Sequence, residues 1–405
     1  MPLHGKSCSL KICKLKISVI VSQVIPWRAV AGITHLVTDF FDYNKAVKHE
    51  EKMKNGLHNL NVWSIAPLPT PEEIKKTYPL DEAARTTVLT TRQEIARILL
   101  GEDKRILAVV GPCSIHNPKE VLRYAAKLAP LALEVKDQLL VVMRFCGDKP
   151  RTGKDWPGFW NDPRIDGSCD IASGWVEGRK LAIDILKMGL PVGCEVLDAE
   201  NFQRFDDIPS YVWLGARDVG SQRMRKITSA ITTPVGFKNH NTGGVKIALD
   251  AMEVAVGSNV FVASNDRGVS SRFFTKGNRF CHLIHRGTEA GPNYDADNIS
   301  KSVQDLVHRG FNTKIVVDAS HGNSRKYHRN QAGVIADVVG QVLSGRGAIA
   351  GIMYESYLEE GRQAIPQDLS DLRPDISITA GCDDWVTTES VLREAHGRLA
   401  TRSKP

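Results

Sequence analysis

Eight short apolar runs separated by helical patterns limit what this chain can fold into more than any other feature. They cover residues 106–110, 139–143, 191–196, 211–216, 234–237, 280–285, 314–317 and 348–353. Each is close to continuously apolar, as expected of a strand buried on both faces and covered by helices. Helical patterns lie between most of them. Those at 176–188, 244–256 and 331–344 stop at Gly189, Gly257 and Gly345, and glycine is a common helix terminator. Asp81 is placed to cap a helix whose apolar positions include Val88, Ile95, Ile98 and Leu99, with Gly101 ending it. Asn117 and Pro118 open another, with Val121, Leu122, Ala125 and Leu128 on one face. Eight strand–helix units in about 300 residues predict an α/β fold, a (β/α)8 TIM barrel. A further strand-like run at 259–263 predicts a hairpin inserted before the sixth strand.

The 405 residues suffice for one large barrel or two average domains. We divide them into 1–52, 53–100 as an N-terminal extension of the barrel, and 101–405 as the catalytic barrel. The first segment has no acidic residue before Asp39 but carries Lys6, Lys11, Lys14, Lys16 and Arg28. Its apolar run at 17–25 is too short to span a bilayer, and Ala29-Val30-Ala31 imitates a signal-peptidase site. A targeting segment, a disordered tail and an extension upstream of a start at Met53 are all compatible with it. The eight cysteines are scattered without a CxxC pair, which suits thiols in a reducing compartment and a cytoplasmic protein. Organellar targeting stays open. A net charge of +7 suits small anionic substrates. The chain has no dense Lys/Arg block with interleaved aromatics, which argues against nucleic acid, and no membrane association is expected.

What stands at the end of each predicted strand carries the functional reading. In order these are Cys113, Arg144, Glu195, Arg217, Lys238, Arg286, His321 and Glu355. Catalytic groups of such barrels gather at the carboxyl ends of the strands. Any one of the eight has a bland explanation as a surface ion pair or a core thiol. Stability does not require all eight together. Arg144, Arg217, Lys238 and Arg286, with Lys149 on the loop after strand two, form a cluster of five cations. That suits a small substrate bearing both phosphate and carboxylate. Cys113, His321 and Glu355 offer thiolate, imidazole and carboxylate to a divalent transition metal, leaving coordination positions open. They follow strands one, seven and eight, neighbours in a closed barrel. Near the C-terminus, Ser377-Ile378-Thr379-Ala380-Gly381-Cys382-Asp383-Asp384-Trp385 precedes a helical pattern through Val391, Leu392 and Ala395. Asp383 and Asp384 read as helix caps; alternatively, Asp383 serves as a metal ligand.

Several segments resemble a known family: Gly111-Pro112-Cys113-Ser114-Ile115-His116, Lys149-Pro150-Arg151-Thr152, Leu214-Gly215-Ala216-Arg217, Pro234-Val235-Gly236-Phe237-Lys238-Asn239, Ser320-His321-Gly322-Asn323-Ser324 and Glu355-Ser356. In this order they are similar to type I 3-deoxy-D-arabino-heptulosonate 7-phosphate (DAHP) synthase, from about residue 60 onward. The resemblance implies condensation of phosphoenolpyruvate with erythrose 4-phosphate, the first step of the shikimate pathway to aromatic amino acids. It implies that Arg144, Lys149, Arg217, Lys238 and Arg286 hold phosphoenolpyruvate. Arg151 and Thr152 would meet the aldehyde's phosphate, and Glu195 would join the substrate-binding set. Cys113, His321 and Glu355 would hold a divalent metal (Mn2+, Fe2+, Co2+ or Zn2+) that polarises the aldehyde carbonyl. Lys149, His321 and Cys113 would be catalytic, Lys149 as proton donor to the new alkoxide. A homodimer or homotetramer and an aromatic amino acid effector are further expectations.

The chain departs from the family pattern at three places. The family's fourth metal ligand, an aspartate in Ser-Ile-Thr-Asp, is here Ala380. Gly153 stands where a second threonine is common, and Asp218-Val219-Gly220 replaces Thr-Thr-Glu. Lys149-Pro150-Arg151-Thr152 argues against the sibling octulosonate 8-phosphate synthase. Two other readings remain: an enzyme of specialised metabolism that keeps phosphoenolpyruvate but takes another aldehyde, and a catalytically weak regulatory paralogue.

Overall fold

The computed structural model describes residues 58–151 and 153–403. The expectations for residues 1–52 and for Thr152 lie outside them. Residues 58–67 belong to a separate unit from the body that begins at Leu68.

Eight parallel strands close into a barrel, as the pattern predicts: β1 (Ile106–Gly111), β2 (Leu139–Arg144), β3 (Val192–Val196), β4 (Tyr211–Leu214), β5 (Val235–Lys238), β8 (Cys281–His285), β9 (Ile315–Asp318) and β10 (Ile349–Glu355). The hairpin forms from β6 (Val260–Ser264) and β7 (Ser270–Phe274), antiparallel and outside the barrel. Closure comes from β1 pairing with β10 in continuous register, Leu107 opposite Gly351 through Gly111 opposite Glu355.

Strand side chains alternate between two apolar compartments. On β1, Ile106, Ala108 and Val110 face the surrounding helices, while Leu107 and Val109 join Val142, Trp213, Ile284, Val316 and Met353 inside the barrel. Before the barrel stand α1 (Pro71–Thr77) and α2 (Glu82–Leu100). α2 is capped by Asp81, whose side chain accepts from the Ala84 amide, and ends at Gly101 with φ +76. Its Ile95, Ile98 and Leu99 pack with the barrel's internal residues, so this helix plugs the amino-terminal end of the barrel.

The remaining helices are α3 (Pro118–Glu134), α4 (Ile171–Lys187), α5 (Ala199–Gln203), α6 (Gln222–Thr228), α7 (Lys246–Val256), α8 (Ala296–His308), α9 (Gln331–Leu343) and α10 (Trp385–Ala400). α4 starts five residues earlier than its apolar pattern suggests. Asp170 caps it by accepting from the Ser173 amide. Its first turns then pass beneath Trp160 through Gly174 and Gly178, where a Cβ would lie 2.4 Å from the Trp160 carbonyl oxygen and 2.8 Å from its indole nitrogen, respectively. Glycines hide that contact face from a periodicity reading. Among the described residues no helix is long and apolar enough to cross a membrane.

Candidate active site

The strand-end residues converge at the carboxyl end of the barrel around a cavity of about 670 Å³. Arg144, Lys149, Arg217, Lys238 and Arg286 line it, and Cys113, Glu195, His321 and Glu355 do as well. Arg151 also lines it and pairs with Asp155 at 3.2 Å.

Arg144 ends β2 and is almost fully buried. Its Nη2 donates to Glu355 Oε1 at 3.0 Å and its Nε to the Pro112 carbonyl at 3.3 Å. Burial opposes the charge of Arg144, but Cys146, Glu355, Asp318 and Cys113 outweigh it and raise the pKa. Gly111 makes room for this packing: at φ +143, a Cβ there would lie 3.2 Å from the Arg144 amide nitrogen. Lys238 ends β5 and pairs with Asp318 Oδ2 at 2.8 Å. Both cations lie over the Trp213 ring inside the barrel, Arg144 at 5.3 Å and Lys238 at 5.6 Å from its centroid, near enough for cation–π attraction. Arg286 donates from Nη1 to Asn241 Oδ1 at 2.9 Å. Its pKa is lowered by burial first, with Arg217 among the neighbours acting the same way. Arg217 itself is exposed. The cluster is therefore graded. Two cations are buried and bridged to carboxylates, Lys149 and Arg286 are half-buried, and Arg217 is exposed.

Lys149 bridges the two halves of the site. Its ammonium donates to the Cys113 carbonyl at 2.9 Å and reaches Cys113 Sγ at 3.3 Å. Burial acts against its charge, yet Cys113, Cys146, Glu195 and Glu355 raise its pKa above the ordinary lysine value. The preceding residue, Asp148, is buried and holds this loop by accepting from Asn161 and, at 2.9 Å, from Asn201.

Glu355 ends β10 and is fixed through its backbone by Gln331. The Gln331 amide donates to the Glu355 carbonyl at 2.9 Å and accepts the Glu355 N–H at 3.0 Å. Burial pushes its carboxyl up, but His321 and Arg144 hold it below the usual range. His321 adopts φ +56, a left-handed conformation that costs a non-glycine residue free energy and recurs at functional positions. Its Nε2 lies 4.0 Å from Glu355 Oε1 and 3.4 Å from Asp318 Oδ2. Burial lowers its pKa despite those two carboxylates.

Thiol, imidazole and carboxylate therefore face one cavity, a donor set that fits a transition metal. Among the described residues no three His, Cys, Asp or Glu side chains already lie close enough together to hold an ion. Ala380 lines the same cavity, and its methyl group supplies no donor. Asp383 is not brought there: its Oδ2 accepts from Tyr354 Oη at 2.7 Å, in a buried position. Asp384 is the cap of α10, accepting from the Thr387 amide at 2.7 Å.

Sequence reasoning missed Asp318, the last residue of β9, which is fully buried between Lys238 and His321. Burial works against its ionisation, but Lys238 and His321 hold its carboxyl well below the ordinary range. It sits one position beyond the predicted apolar run, where the same strand-end rule could have found it. Lys326 and Arg362 also line the mouth, on loops that the strand pattern does not reach.

The sequence model of the DAHP synthetase I family matches residues 79–393. The chain belongs to this family. This DAHP synthetase family member is 38% identical over 353 residues to the Tyr-sensitive phospho-2-dehydro-3-deoxyheptonate aldolase of Escherichia coli (strain K12), covering 86% of this chain and 99% of that protein. It is 40% identical over 338 residues to the Trp-sensitive aldolase of Enterobacter agglomerans, covering 84% and 97%. It is 39% identical over 350 residues to the aldolase AMT16 of Alternaria alternata, covering 85% and 94%. The solved aldolase structure from Francisella tularensis SCHU S4 superposes with a TM-score of 0.82 at 36% identity, over 85% of this chain and all of that one.

Proposed function

We propose that this DAHP synthetase condenses phosphoenolpyruvate with erythrose 4-phosphate, adding water and releasing inorganic phosphate, as the first step of the shikimate pathway. The observation that carries this reading is the graded cation cluster, with Lys149 bridging it to Cys113. A trianionic substrate with a phosphate and a carboxylate matches five cations, and Arg forks suit both groups. Arg144 and Lys238, already bridged to Glu355 and Asp318, orient the deepest part of the substrate at little reorganisation cost. Arg217 and Arg286 close on it from the rim. Arg151 and Thr152 then receive the phosphate of the aldehyde.

Cys113, His321 and Glu355 are the residues that would hold a divalent metal, which supplies polarisation of the aldehyde carbonyl. Attack by C3 of phosphoenolpyruvate leaves an alkoxide at the former aldehyde. Lys149, kept protonated by its anionic neighbours, is placed to donate a proton to it. Water addition at C2 then gives a hemiketal phosphate that expels phosphate.

The names Tyr-sensitive and Trp-sensitive belong to the relatives. They support an aromatic amino acid as effector of this chain too. A phosphate-release assay with phosphoenolpyruvate and a panel of aldehyde phosphates, with and without added Mn2+, tests the reading. Metal-stimulated turnover with erythrose 4-phosphate is expected. Turnover only with another aldehyde overturns it.

A further inference from the structure

The cavity at the barrel mouth has a second imidazole on its wall. His328 lines it together with Cys113, His321, Glu355, Ala380 and Gly381. This histidine lies on the connection from β9 to α9, among residues that face solvent. Arg325, Lys326, Tyr327, Arg329 and Asn330 are exposed, whereas the His328 side chain is 16% exposed. Its Nε2 is buried and has no hydrogen-bond partner. A buried polar atom left without a partner is costly, and native structures rarely keep one without a use.

The connection is tied at both ends to residues of the metal-donor set. The Lys326 amide donates to the His321 carbonyl at 2.7 Å, and Arg325 and Lys326 adopt φ of +54 and +62, so the chain folds back on His321. Three positions after His328, Gln331 exchanges hydrogen bonds of 2.9 and 3.0 Å with the Glu355 backbone. The imidazole lies over Gly381, where a Cβ would come 2.8 Å from Nδ1. Ala380 brings no donor into the cavity, and Gly381 beside it leaves the room in which the imidazole sits.

An ion pair with Glu360 is the ordinary explanation for such a histidine. Glu360 Oε2 stands 3.8 Å from His328 Nε2, too far for a hydrogen bond. Both Glu360 oxygens are taken by Arg329 instead, at 3.0 and 2.5 Å.

We infer that His328 Nε2 is a fourth donor to the divalent metal, which is then held by one thiolate, two imidazoles and one carboxylate. The inference rests on Cys113, His321 and Glu355 holding that metal, as proposed for this site. The four donors line one cavity without touching, and the two side-chain torsions of a histidine on a loop let it close onto an ion.

Titration of the full chain with Co2+, followed by visible absorption and equilibrium dialysis, tests this. One Co2+ per chain is expected. His328→Phe keeps a ring over Gly381 and removes the nitrogens, so a role in packing alone survives it. In that variant the d–d bands of bound Co2+ are expected to shift and the affinity to fall by about tenfold or more, while phosphoenolpyruvate still binds, the sign of an intact barrel. Ala380→Asp/His328→Phe is expected to recover affinity, because a carboxylate again supplies the fourth donor. Identical spectra and affinity in the parent and His328→Phe overturn the inference and leave the three-donor site standing. Absence of Co2+ binding by the parent chain overturns both.

Discussion

Lys149 carries the most chemistry per atom in this molecule, because its ammonium touches Cys113 at both carbonyl and sulfur. Lys149→Met is expected to lower kcat by about 10²- to 10⁴-fold, the range for losing a positioned proton donor. Phosphoenolpyruvate binding, measured by titration, falls much less, because four other cations remain. A kcat within tenfold of the parent would assign Lys149 a binding role only. The adjacent acids near the C-terminus separate equally cleanly. Asp384→Ala removes a cap and costs about 0.5–2 kcal/mol. Asp383→Ala leaves the buried Tyr354 hydroxyl without its acceptor and costs about 1–3 kcal/mol. Equilibrium dialysis with Mn2+ is expected to give the parent affinity for both; a loss confined to Asp383→Ala would show that its carboxylate reaches the metal. The eight strand-end residues were legible in sequence because a polar group at the end of an apolar run is conspicuous. The partner of Asp383 was not, since it is decided by a hydroxyl 29 residues away. Asp318 was hidden for a different reason: it caps a run so apolar that its carboxylate reads as the first loop residue.

Among the elements, β8 carries two buried histidines that do not line the cavity. His282 is buried and meets Tyr211 Oη at 2.8 Å; His285 lies between the Asn293 carbonyl at 2.6 Å and Ser302 Oγ at 2.9 Å. Burial first, only partly offset by backbone partners, lowers both pKa values from 6.5 to about 4. Between those limits the unfolded chain binds protons that the folded chain excludes. Stability is therefore full above pH 6.5 and declines as pH falls toward 4. Urea midpoints measured across this window are expected to drop. The double variant His282→Gln/His285→Gln is expected to flatten the slope, and an unchanged slope would place the titrating groups elsewhere. Helix starts were legible where a cap preceded an apolar stripe, as at Asp81 and Asn117. They were not legible in α4, where the contacts of Gly174 and Gly178 are made by backbone. α5 and α6 are too short, at five and seven residues, for periodicity to register.

For the molecule as a whole, the eightfold rhythm revealed a barrel because each unit repeats the same problem of covering a strand. It could not reveal that α2 closes the floor, since an amphipathic helix reads alike on a barrel's flank or at its end. Closure itself rests on β1 meeting β10 at five register positions. A chain ending before Ile349 is expected to lose cooperative unfolding, visible as a broad urea transition and weak amide protection in β1. Sharp unfolding of that truncated chain would show that seven strands suffice. The same pairing has a consequence for synthesis. A ribosome delivers β1 early and its partner late. At about 5–20 residues per second, the stretch between Gly111 and Ile349 occupies on the order of ten to fifty seconds. Throughout that interval the nascent chain carries an apolar strand edge with nothing to pair with, so a chaperone has its window of use before the last strand emerges.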